Sequence, residues 1–109
     1  MFPLKLMEIT HVSPKFDRLF GEMKPLCMHL ISSINEYLNS INIAATMYVL
    51  DVYNLGEGEY IENKPYIEVH VLIKDVNEML NLWEETIRFL ETQFDKEILD
   101  MIDIFFKRA

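Results

Sequence analysis

Glu68 and His70 stand two positions apart in a segment whose apolar and polar residues alternate, and they are the residues of this chain best placed to do chemistry. Alternate residues on a strand share a face, and a carboxylate beside an imidazole can hold a metal ion or move a proton. Asp51, on the strand expected to neighbour them, is the third candidate. A metal site needs three or four convergent ligands, and His11 and His29 belong to other elements with no ligand spacing between them. The alternative is a polar outer sheet face that carries one histidine. His70, Glu68 and Asp51 are therefore kept as candidate metal ligands, while no catalytic residue and no cofactor is assigned.

The stretch from Asp51 to Glu62 adds Glu57 and Glu59 beside Gly56 and Gly58, an oxygen-rich arrangement of the kind calcium favours. It lacks the acidic spacing and closing bidentate glutamate of the helix-loop-helix calcium motif. Gly56-x-Gly58 does not make a phosphate cradle either, because no helix start follows it and the glutamates repel an anion. Cys27 lies in an apolar helical stripe with no histidine assigned to it, which makes it a packing residue rather than a nucleophile.

The charge distribution narrows the partners. Up to residue 50, Glu8, Asp17, Glu22 and Glu36 balance Lys5, Lys15, Arg18 and Lys24, so the whole net charge of −8 arises later in the chain. A nucleic-acid binder concentrates Lys and Arg on one face, so nucleic acid is not an expected partner. Anionic membrane surfaces are disfavoured for the same reason. No apolar run approaches the roughly 18 residues of a membrane span, and Met1 to Lys5 does not resemble an export signal. The lone cysteine agrees with a reducing compartment, so the expected location is cytoplasmic. Half the residues are apolar, enough for a single globular domain spanning residues 1 to 109.

The elements that would position these residues follow from hydrophobic period. Leu4 to Thr10 reads as a first strand. Ser13-Pro14 starts a short helical turn, and Pro25 opens the first main helix, to about Asn39, with Leu26, Leu30, Ile31, Ile34 and Leu38 on one stripe. Ile43 to Tyr53 is a strand with apolar residues on both faces. A long acidic hairpin loop, residues 54 to 64, leads to the Tyr66 to Lys74 strand, Pro65 opposing an earlier start. Asp75 and Glu78 resemble a capping box, and Leu80, Trp83, Ile87, Leu90 and Phe94 form a stripe that must be buried.

Residues 98 to 106 fit both periods. A strand is chosen because Met101 to Phe106 is rich in β-formers and a continuous helix would exceed 30 residues without a cap. The resulting fold class is α+β, a two-layer sandwich in β-α-β-β-α-β ferredoxin-like order. Its four-stranded antiparallel sheet has the first and third strands central, both main helices on one face, and the two chain ends side by side. The alternative is α-β-β-α with a long C-terminal helix. Signatures of familiar proteins with this order are missing: there is no Cys-x-x-Cys loop, no pair of aromatics with basic residues on a central strand, and no arginine near the end of the first strand.

A helix-free sheet face would expose Tyr53, Tyr66, Leu72 and Met47, an apolar surface that calls for a partner. The expected function is thus a binding or structural domain that forms a homodimer, or binds another protein, through that face. The second hypothesis is a small enzyme or a metal- or ligand-binding protein using His70, Glu68 and Asp51 near the acidic loop.

Overall fold

In the computed structural model of this protein, which describes residues 10 to 109, two of the helices start where a side chain, Ser13 or Asp75, accepts from an orphan backbone amide. Strand β1 (Thr10–Val12) is followed by helix α1 (Pro14–Phe20), where Ser13 Oγ accepts from the Phe16 amide at 3.0 Å. After a 3-10 turn (Gly21–Met23), α2 (Lys24–Ser40) carries Pro25 in its first turn, where a missing N–H removes no helical bond. Asn42, at φ 60°, reverses the chain beyond α2 while the Ile43 amide donates to Leu38 O at 2.9 Å. The remaining elements are β2 (Ala45–Leu55), β3 (Glu62–Val71), α3 (Val76–Gln93), α4 (Lys96–Met101) and β4 (Asp103–Arg108). The first strand expected over Leu4 to Thr10 lies, except for Thr10, outside the described residues.

The class is α+β with a four-stranded sheet, but the sheet differs from the ferredoxin-like expectation. Its order is β1-β2-β3-β4, with β1 parallel to β2, β2 antiparallel to β3, and β3 parallel to β4. The sheet is therefore mixed rather than antiparallel, the second and third strands are central, and the two ends of the described chain occupy opposite edges. The ferredoxin-like order lets both crossovers be right-handed with their helices on one face. Here the two parallel pairs run in opposite directions while the helices share a face, so the crossovers have opposite hands and one is the uncommon left-handed form.

A single core lies between sheet and helices. Tyr48, Leu50, Ile67, Val69 and Ile104 point into it from the strands, and Leu30, Ile34, Leu38, Leu82 and Leu90 from α2 and α3. Tyr48 donates its hydroxyl to Asn35 Oδ1 at 2.9 Å, so a buried polar group anchors α2 to the sheet. Pro65 is within β3, opposite Val52, rather than before its start. Odd-numbered backbone groups of β3 point toward β4, as the Ala109 amide donating to Val71 O shows, and β4 pairing begins only at Tyr66. Proline's missing N–H therefore costs no ladder bond.

Two further expectations change. The buried stripe of α3 is centred on Leu82, Thr86 and Leu90, while Leu80 and Trp83 are 55% and 40% exposed. Thr86 can enter the core because its hydroxyl donates to Leu82 O at 2.7 Å. Near the C-terminus both periods are real: α4 ends at Met101 and the strand begins at Asp103, so the long-helix alternative does not hold. No helix among the described residues is long and apolar enough to cross a membrane.

Candidate functional site

Period-two alternation places Met47, Val49, Asp51 and Tyr53 of β2, and Tyr66, Glu68 and His70 of β3, on the face that the helices do not cover. Asp103, Phe105 and Lys107 of β4 continue it, with Glu68 level with Phe105 and His70 with Lys107. Tyr53, Tyr66 and Phe105, from three adjacent strands, form a triangle of tilted rings with centroids 5.6 to 6.1 Å apart. Separations and tilts of this kind let ring edges meet ring faces. Leu72, expected on this surface, lies just beyond the end of β3 and is exposed.

Carboxylates hold the rims of the triangle. The Tyr53 hydroxyl donates to Asp103, and that hydrogen bond, with burial and the carboxylate charge behind it, pushes the phenol pKa up to about 12. Tyr66 donates to Asp51 Oδ2 at 3.5 Å; burial first, then the charges of Asp51 and Glu68, raises its pKa as well. Lys64 Nζ sits 3.9 Å from Asp103 and donates to Asp100 O at 2.6 Å.

His70 and Glu68 do meet, with Nε2 2.6 Å from Oε1. Since an ionised carboxylate only accepts, Nε2 carries the proton in this contact. Asp51 does not join them: it faces Tyr66 across the β2–β3 ladder, and its Oδ1 accepts from the Val52 amide at 2.8 Å. Among the described residues no group of three or more His, Cys, Asp and Glu side chains is gathered as a metal ion would require. The acidic loop is shorter than expected, because Asp51 and Glu62 belong to strands that pair as far as Leu55 and Glu62. Cys27 is fully buried, and burial pushes its thiol up to about 11, which keeps it protonated and unreactive at neutral pH.

Concave surface occurs at β4 and along Asp17 to Met23, and His70 lines none of these cavities. A cavity of about 360 Å³ is lined by Tyr53, Trp83, Ile87, Leu99 and Phe105, and a groove of about 270 Å³ by Met79, Leu80, Trp83, Phe105 and Phe106. Sequence reasoning missed this region because it assigned Leu80 and Trp83 to the core. Comparison of the chain with protein-family models, with curated proteins and with solved structures finds no match.

Proposed function

We propose that the protein is a non-enzymatic binding domain, cytoplasmic in location, that self-associates through its helix-free sheet face. The observation that carries this reading is the Tyr53, Tyr66 and Phe105 triangle, an aromatic surface on the side of the sheet away from the helices. Stacked against a second copy, such rings lose water contact at little entropic cost, since each has only two side-chain torsions to fix. The charges on the face have both signs, Asp51 and Glu68 against Lys64 and Lys107, so a twofold arrangement can pair acid with base. Sedimentation at micromolar concentration is expected to show a species heavier than 13.0 kDa. Tyr66→Glu is expected to shift it toward the monomer; a wild-type chain that sediments only as the monomer overturns the reading.

The contact of His70 with Glu68 supports a second reading, a small-ligand or divalent-ion site on the same face. Titration of the histidine ring signals with zinc tests it. Broadening confined to His70 supports a site there, and an unchanged signal removes it.

A further inference from the structure

The sheet order ends at β4, so its outer edge has no strand beside it among the described residues. The Ala109 amide bonds Val71 O, which turns the odd-numbered backbone groups of this segment toward β3 and the even-numbered ones, Ile104 and Phe106, outward. Trp83 confirms that direction by donating its indole N–H to Ile104 O at 2.7 Å. Beside this edge runs the exposed part of α3: Val76, Leu80 and Trp83, stepping by four and three, are 50%, 55% and 40% exposed. Their spacing is that of a buried helical stripe, yet within one copy it stays partly in solvent, beside an edge where the Trp83 indole takes the Ile104 carbonyl while the Ile104 and Phe106 amides face outward without a partner among the described residues.

We propose that this edge is a second self-association surface, adjoining the aromatic face at Phe105, on which β4 pairs antiparallel with β4 of a second copy about a twofold axis at Phe105. The sequence of the strand, Asp103-Ile104-Phe105-Phe106-Lys107-Arg108, selects this occupant and this register. With Phe105 opposite its twin, Asp103 of each copy stands opposite Lys107 of the other on the outer face. Ile104 and Phe106 become the hydrogen-bonded pairs: each Ile104 amide donates to the other copy's Phe106 carbonyl, and each Phe106 amide donates to the other copy's Ile104 carbonyl, whose second lone pair accepts it beside the Trp83 indole. A shift of one residue in each copy, centring the axis on Phe106, would set Phe105 against Lys107 and leave Asp103 with Lys64 of its own copy but no cation from the other. A lysine at an edge ordinarily discourages pairing. In this register a carboxylate meets it, so the charges choose the register instead of blocking the contact. On the inner side, Phe106 of the second copy comes opposite Ile104, beside Trp83 and the apolar groove, and two four-stranded sheets become one of eight.

Charge reversal tests the register directly. Lys107→Asp alone and Asp103→Lys alone each put like charges opposite one another twice per pair. Each is expected to weaken association by about tenfold or more. Mixing the two variants restores opposite charges at both positions, and sedimentation of the mixture is expected to recover the wild-type affinity. Single variants that associate like the wild type, or a mixture no better than its components, overturn the proposal. Amide exchange on the unmodified protein gives a check that needs no variant. The Ile104 and Phe106 amides are expected to gain protection as concentration rises through the association range, and amides that remain exchangeable there overturn edge pairing, including the case in which this edge serves another protein. Tyr66→Glu, which touches the face but not the outer edge, separates the two surfaces: it removes face contacts and leaves the mixing result intact.

Discussion

Gly56 adopts φ +99° at the hairpin turn, and a Cβ there would come 1.9 Å from Tyr60 O, a backbone atom that cannot move aside. Gly56→Ala therefore combines backbone strain with a clash, and chemical denaturation is expected to show a loss of about 1–3 kcal/mol. Tyr53 offers a readout of the aromatic face. With Asp103→Asn its pKa is expected to fall from about 12 toward the ordinary 10.0, followed through its ring signals. The sign of the linkage is fixed: a phenol whose pKa is raised by folding contributes stability that is complete below pH 10 and lost as pH rises toward 12. Buried Tyr48 and Cys27 are raised too, so the protein is expected to lose stability on the alkaline side as these groups ionise, which denaturation midpoints measured from pH 8 to 11 will show. Glu68 and His70 were legible as a pair from their spacing alone, since two residues on one strand share a face. Asp51 was not, because its partner depends on the register that places Tyr66 opposite.

Helix α3 shows how an element can be legible while its orientation is not. The cap is where the sequence puts it, Asp75 Oδ1 accepting from the Asn77 amide at 3.0 Å. Yet two apolar stripes are available, and the one containing Leu82 and Leu90 faces the core. A pair of substitutions checks this: Leu82→Ala, at a site 4% exposed, is expected to cost about 2–5 kcal/mol, whereas Leu80→Ala, at 55% exposed, should stay within about 0.5 kcal/mol in the monomer. Equal losses at both positions would contradict the helix orientation. Periodicity ranked Leu80 and Trp83 as core because it counts apolar residues and gives Thr86 no credit for bonding its own helix backbone. The C-terminal ambiguity has a similar origin. Phe94, in extended conformation, breaks the helix after Gln93, Asp95 starts α4, and strand geometry follows only from Asp103.

At the scale of the whole molecule the central β2–β3 hairpin is the core of the sheet, and native-state amide exchange is expected to rank the amides of its inner ladder, such as Val49 and Glu68, above those of Thr10 to Val12 at one edge. Protection in β1 equal to that of β2 would contradict the strand order. The sequence by itself determined the main elements and their order, because periods of two and near four, N-caps and prolines act over a few neighbouring residues, but it did not separate α4 from the last strand and it began β3 at Tyr66 instead of Glu62. For β3 it also determined which residues face inward, since that strand has one apolar side. Only the tertiary structure decided which strands lie adjacent, which way they run and which stripe of α3 is covered. These depend on the path of each crossover over the sheet, and local periodicity is the same for a right-handed path as for a left-handed one. That choice separated the ends of the described chain, put the hairpin at the centre, and left β4, beside Leu80 and Trp83, with no outer strand among the described residues.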